Sequence, residues 1–170
     1  MSSIILLPPE VADKIAAGEV VERPFSVVKE LVENSLDAGA TDIRIELGGG
    51  GKALIRVSDN GCGMSREDAL LCFERHSTSK LRSEEDLSCI STLGFRGEAL
   101  PSIAAVSRLT LRTSDGASAE GLCVSREGER MVEARETAFP RGTSVEVRDL
   151  FFNIEAELKL HGYDDTLLVR

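Results

Sequence analysis

Three things are scarce in this sequence, and each shortage narrows the possibilities. No apolar run approaches the ~20 residues that a membrane span needs, and the start, MSSIILLPPE, has neither a basic n-region nor a long h-region. No membrane span and no signal peptide are expected, and a cytoplasmic location follows. The cysteines, Cys62, Cys72, Cys89 and Cys123, form no C-x-x-C pair. That disfavours a zinc site and fits reduced thiols in a cytosol. Positive charge is also short: 20 Lys and Arg stand against 29 Asp and Glu, a formal net charge of −9. A strong DNA-binding face needs clustered Lys and Arg, so any DNA contact is expected to be weak and to come mainly from other parts. His76 and His161 are too isolated for a ligand set, and no Ser-His-Asp or Cys-His constellation can be assembled. A nucleotide stays open, because a metal and backbone N–H groups can offset its charge locally.

What remains is ordinary globular material. The 170 residues, 42% hydrophobic and 29% charged, suffice for one domain with a sizeable core. There is no internal repeat and no low-complexity tract. An apolar strand-like piece ends at Pro8-Pro9, and residues 10–17 read as a short helix. Val27, Val28, Leu31, Val32, Ser35 and Leu36 recur at helical spacing. They predict an amphipathic helix over 25–38, opened near Pro24 and stopped at Gly39.

Ile43, Ile45 and Leu47 alternate, as do Ala53, Ile55 and Val57, with four glycines between them at 48–51. That is a hairpin. Ser65 with Asp68 predicts a capping box and a helix to about Phe73. Residues 74–92 are polar and form a candidate lid. Residues 99–106 read as a helix, with Pro101 tolerable in its first turn. From 108 to 149 the pattern is strand-rich, with turns at 114–116 and near 140–142. The order predicts an α/β two-layer sandwich, one mixed and mostly antiparallel sheet with helices on one face.

Four strings carry the chemistry. In KELVENSLDAG at 29–39, Glu30, Asn34 and Asp37 share one stripe of the helix, bordering its apolar face. An Asn carbonyl suits magnesium and a Glu can polarise water; a solvated helix face would carry the same residues. In DNGCGM at 59–64, Asp59 closes a strand as an acceptor suited to an exocyclic amine, which selects adenine over guanine. Gly61 and Gly63 let a flat ring approach the backbone, although an Asp-Asn-Gly turn needs no ligand. In GFRGEAL at 94–100, glycines precede a helix N-terminus and expose N–H donors to phosphate. A tight loop with Arg96 in solvent is the alternative. In GTS at 142–144, the Thr143 hydroxyl lies at a strand edge, where it can support the Asp59 side of a base.

Taken in order, these strings resemble the nucleotide-site motifs of the GHKL ATPase superfamily of gyrase B, histidine kinases and a heat-shock chaperone. IAAGEVVERP at 15–24, GFRGEAL at 94–100 and RDLFFN at 148–153 are similar to the MutL family of DNA mismatch repair proteins in particular. The resemblance implies the Bergerat sandwich fold over residues 1–154, with ATP and Mg2+ as cofactors. By it, Glu30 is the general base, Asn34 the magnesium ligand and Asp59 the adenine acceptor. Asp37, Gly61, Gly63, Met64 and Thr143 are further nucleotide-binding positions, with Thr143 on the Asp59 side of the base. Thr78, Ser79 and Lys80, with Gly94, Phe95, Arg96, Gly97, Glu98, Ala99 and Leu100, wrap the triphosphate. It further implies a homodimer closed by ATP through the N-terminal regions, working between a mismatch-recognition protein and strand-processing enzymes.

The match departs at the C-terminus. The family continues after LFFN with a Pro-Ala-Arg stretch and a long helix, whereas here Ile154 leads to Glu155-Ala156-Glu157. Residues 155–170 read as a hairpin-like tail from further along the family domain, as though about 50 residues between had been removed. The family's second domain, with its lysine for the terminal phosphate, is not in the sequence. Weak binding and slow turnover are therefore expected of the isolated chain. A non-catalytic interaction module of the same fold is the alternative reading.

Overall fold

The computed structural model describes residues 21–74 and 98–154. The predicted N-terminal strand and short helix, the lid beyond Glu74, and the C-terminal hairpin lie outside those residues. In chain order the described elements are α1 (Pro24–Asp37), β1 (Ile43–Gly48), β2 (Leu54–Asp59), α2 (Arg66–Leu71) and α3 (Ala99–Ala105). Then come β3 (Arg108–Ser114), β4 (Glu120–Glu127), β5 (Arg130–Ala138) and β6 (Gly142–Arg148).

Helix α1 forms where its sequence predicts. Pro24 occupies the first turn, where its missing N–H costs nothing. At the far end Gly39 takes φ +70. Its N–H donates to the carbonyl of Leu36, and that of Ala40 to Ser35, a Schellman stop that a side chain at Gly39 would strain. Val27, Leu31 and Ser35 are buried. Helix α2 opens as the capping box predicts: Ser65 Oγ accepts from the Asp68 N–H and donates to the Asp68 carboxylate. It stops at Leu71, a little short of Phe73, which is buried in the core. Burial pushes the neighbouring Cys72 thiol up to about 12, so it stays protonated and behaves as a small apolar group.

The six strands form one sheet in the order β1-β2-β6-β3-β4-β5. All pairings among the described residues are antiparallel, the majority class the sequence predicts. The last strand, β6, inserts between β2 and β3 and so becomes central. Directly opposed residues share a face. Ile55, Val57, Val145, Val147, Leu109 and Leu111 therefore line one side, and all are buried with Val27, Leu31 and Ile103. Each such side chain removed from water contributes about 2 kcal/mol.

The opposite side is polar. Arg56 lies between Glu46 and Glu146, and Arg148 also meets Glu146. Partial burial works to raise the Glu146 carboxyl, but hydrogen bonds from Arg56 and Arg148 outweigh it and hold it below the ordinary carboxylate range. The Glu146 hydrogen bond in turn raises the Arg56 guanidinium. Helices on one face and a charged lattice on the other make the two-layer sandwich.

Candidate nucleotide site

At one end of the central strands three side chains stand in a row on the helix side. The register places Asp59 of β2 opposite Thr143 of β6, and Thr143 opposite Thr113 of β3. Asp59 is fixed twice. Ser35 of α1 donates to its Oδ2 at 2.8 Å, and the Gly61 N–H donates to its Oδ1 at 2.9 Å. Each carboxylate oxygen keeps acceptor capacity beyond these bonds.

Thr113, fully buried, fixes the other end of the row. Its hydroxyl donates to the Gly142 carbonyl at 3.0 Å and accepts from the Met64 N–H at 3.0 Å. A hydroxyl has one proton. The 3.0 Å contact between Thr113 and Thr143 must therefore be donated by Thr143. Its proton committed, Thr143 offers only lone pairs, and so do the Asp59 oxygens. The row is an acceptor edge, the chemistry that receives an amine.

The glycines around it are required by close packing. A Cβ at Gly63, where φ is +67, would come 1.8 Å from the Ser114 carbonyl oxygen, and one at Gly142 would come 2.1 Å from that of Asp59. A Cβ at Gly61 would meet Ala38 at 2.8 Å. The DNG segment is thus pressed between the end of α1 and the end of β3. Asn60 secures it, its Oδ1 accepting from the Thr41 and Asp42 N–H groups at 2.9 Å. This turn has a structural job as well as a place beside the acceptor edge.

Of the other predicted residues, Glu30, Asn34 and Asp37 lie on α1, half-buried, on one flank of the Val27–Leu31–Ser35 stripe. All belong to the same helix that delivers Ser35 to Asp59. Met64 and Leu100 pack against the core. Glu98 and Ala99, with Leu100, open α3. Thr78, Ser79, Lys80, Gly94, Phe95, Arg96 and Gly97 lie outside the described residues. Among the described residues no group of three His, Cys, Asp or Glu could hold a metal, and no helix is long and apolar enough to cross a membrane.

Two residues that position the row escape the sequence reading. Ser35 appears only as a member of the apolar spacing of α1, and Thr113 only as strand. The signal for both is the same: a small polar residue continuing an apolar stripe at its end, after Val27 and Leu31 in one case and after Leu109 and Leu111 in the other.

A cavity of about 480 Å³, lined by Ala105, Glu127, Arg130, Phe152 and Asn153 among others, opens at the opposite end of the strands. Its Glu127 is already paired with Arg108 and Arg130. On its wall the buried Asn153 Oδ1 has no hydrogen-bond partner among the described residues, while its Nδ2 donates to the Ala105 carbonyl at 2.7 Å.

The fold has known relatives. A profile described as histidine kinase-, DNA gyrase B- and HSP90-like ATPase matches residues 22–139. The chain is 59% identical, over 97% of its own length, to the DNA mismatch repair protein MutL of Syntrophotalea carbinolica, and covers 26% of that protein. It is 61% identical over 91% of its length to the MutL of Trichlorobacter lovleyi, again covering 26% of it. The chain thus spans about a quarter of the length of the curated relatives it matches. Among solved structures, the Aquifex aeolicus MutL ATPase domain complexed with ADP superposes with a TM-score of 0.59 at 39% identity, over 82% of this chain and 48% of that one. The N-terminal domain of a DNA repair protein superposes with a TM-score of 0.69 at 28% identity, over 92% of this chain and 44% of that one. With that profile covering most of the described fold, the chain belongs to the histidine kinase-, DNA gyrase B- and HSP90-like ATPase family, and its relatives there are the MutL proteins of DNA mismatch repair.

Proposed function

We propose that this chain is the ATP-binding and ATP-hydrolysing module of a DNA mismatch repair protein, built on residues 1–154. The observation that carries the reading is the Asp59–Thr143–Thr113 row, in which every outward-facing atom accepts. Asp59 takes the exocyclic amine of adenine, with Thr143 beside it. Gly61 and Gly63 keep side chains out of the plane of the base, and Met64 borders it. A guanine would set its carbonyl against these acceptors, so adenine is selected.

The phosphate end is assigned to Glu98, Ala99 and Leu100 with Gly94, Phe95, Arg96 and Gly97, and to Thr78, Ser79 and Lys80. Glu30 is the general base that takes a proton from the attacking water. Asn34, one turn on, fits a magnesium site: magnesium is held through few protein oxygens plus phosphates and water, and an amide oxygen needs no acidic cluster around it. Asp37 extends the same flank. Bound magnesium would supply charge neutralisation on the phosphates.

In its longer context the module works as a nucleotide-gated dimer, closing through its N-terminal regions. It couples a mismatch-recognition protein to strand-processing enzymes in the cytoplasm, with weak DNA contact supplied mainly by other parts. The isolated chain binds nucleotide weakly and turns it over slowly, since the charge contributed by the family's second domain is worth several orders of magnitude in rate. Magnesium-dependent phosphate release, followed with wild type and Glu30→Ala at saturating ATP, tests the catalytic part. A slow activity that Glu30→Ala lowers by at least ~100-fold is expected. Equal rates in the two proteins remove Glu30 from the mechanism.

A further inference from the structure

Ser35 is buried where α1 meets the end of β2. Its hydroxyl stands within reach of two acceptors, Asp59 Oδ2 at 2.8 Å and the Leu31 carbonyl at 3.1 Å. A hydroxyl has one proton, so only one of the two receives the stronger bond at a time. The carboxylate is the nearer and carries charge, and charge-assisted bonds are roughly twice as strong as neutral ones. The two positions differ in what they do to the helix. Donation to Asp59 ties α1 to β2. Donation to the carbonyl four residues back bends a helix, and here the bend falls on the turn 31–35. That turn contains Asn34 and follows directly on Glu30. Beyond it the helix end is held, because the Cys62 N–H donates to the Ala38 carbonyl at 2.9 Å.

We propose that the Ser35 hydroxyl is a relay that carries occupancy of the acceptor edge to the Glu30–Asn34 turn of α1. The relay rests on the reading of Asp59 as the adenine acceptor. A carboxylate that takes a further donor holds each of its donors less strongly. An exocyclic amine arriving at Asp59 therefore loosens its hold on Ser35, and the hydroxyl turns toward the Leu31 carbonyl. No covalent bond changes: the proton stays on Oγ and only the Cβ–Oγ torsion moves. The hydroxyl is thus a two-state element, biased by the base at one end and felt by the helix turn at the other, as coupling between two places requires. Ser35 is a positioning residue in this scheme, acting on Glu30 and Asn34 through the backbone of α1. A base without the amine leaves the hydroxyl on Asp59 and the turn unmoved. Base identity then reaches the residues assigned to water and magnesium, over and above its effect on affinity.

Carbon and nitrogen NMR of the full 170-residue chain tests it, with ADP and with purine riboside diphosphate, which lacks the exocyclic amine. The Leu31 carbonyl carbon reports the hydroxyl directly, moving to higher frequency when its oxygen gains a hydrogen bond. ADP is expected to move it in wild type and to displace the amides of residues 31–35, whereas the desamino nucleotide leaves it in place. In Ser35→Ala, ADP leaves it in place too. Asp59→Asn moves it with no nucleotide added: the Asn oxygen keeps the Gly61 N–H, its amide NH2 faces Ser35 as a donor, and the Ser35 proton has only the Leu31 carbonyl left. Thermal unfolding confirms that each variant is folded. A Leu31 carbonyl that ADP moves equally in wild type and Ser35→Ala overturns the relay, and so does an Asp59→Asn protein with Leu31 at its wild-type position. The same titrations separate this failure from that of the adenine reading. Two nucleotides that bind alike, or do not bind, defeat both; ADP bound in preference with Leu31 unmoved defeats the relay alone.

Discussion

Removing the Thr113 hydroxyl tests the geometry of the acceptor edge without touching any group that faces a ligand. Thr113→Val keeps the volume of a fully buried side chain and deletes three hydrogen bonds at once. The Gly142 carbonyl and the Met64 N–H lose their partner, at about 1–3 kcal/mol each. Thr143, only partly buried, can turn its proton to water, so its share is small. The sum is about 2–6 kcal/mol, or a fall in melting temperature of roughly 6–18 °C at the ~3 °C per kcal/mol typical of this size. Thr113→Ser keeps the bonds and loses a methyl, at about 1 kcal/mol. Thermal and urea unfolding of the three proteins, followed by circular dichroism, provide the comparison. The valine variant should also bind adenine nucleotide more weakly than the serine variant, because its Thr143 proton is free to point at the incoming amine. Valine within ~0.5 kcal/mol of serine would refute the assignment of donors in this row.

Two further outcomes follow from the same structure. Gly63→Ala forces a Cβ into the Ser114 carbonyl at 1.8 Å with φ at +67, whereas Gly50, at φ +64, has nothing within 4 Å. Urea unfolding should therefore show a loss of about 2–5 kcal/mol at Gly63, from strain plus overpacking, against about 1–2 kcal/mol at Gly50. Glu146 is held below the ordinary carboxylate range by Arg56 and Arg148. Its stabilising contribution is present above the unfolded-state pKa of ~4.3 and is lost as pH falls through the lower folded value. The stability gap between wild type and Glu146→Gln, followed by urea titration, should thus be full near neutrality and close progressively below about pH 4.

Much of this architecture is legible in the sequence, and the reasons are local. The α1 stop at Gly39, the Gly48–Gly51 turn between Ile43–Gly48 and Leu54–Asp59, and the Ser65 cap each depend on residues within a few positions. Such signals survive without tertiary context. The insertion of β6 between β2 and β3 does not announce itself, because it is decided by which apolar faces meet across some ninety residues. The same holds for the acceptor edge. Asp59 stands out as a carboxylate at a strand end, but its orientation depends on Ser35, and that of Thr143 on Thr113. In sequence those two are a small polar residue in a helix and another in a strand. Only the register brings them into contact. Chain separation hides such positioning residues, whereas the glycines they press against are visible from the outset.

The proposed function rests on Asp59 and its neighbours acting as an adenine-selective acceptor edge. Asp59→Asn is the sharpest probe, because Asn preserves the shape. Its oxygen can keep the Gly61 N–H while Ser35 returns its proton to the Leu31 carbonyl, 3.1 Å away. The fold should lose only about 1 kcal/mol, while the ligand-facing acceptor loses its charge, worth about 1.5–3 kcal/mol or roughly 10- to 150-fold in affinity. Calorimetric titration of a non-hydrolysable ATP analogue and its guanine counterpart with magnesium, into wild type and Asp59→Asn, measures this directly. Wild type is expected to prefer the adenine nucleotide, and Asp59→Asn to lose at least tenfold in affinity for it. Equal affinities for the two bases, or an Asp59→Asn variant that binds as wild type does, would contradict it.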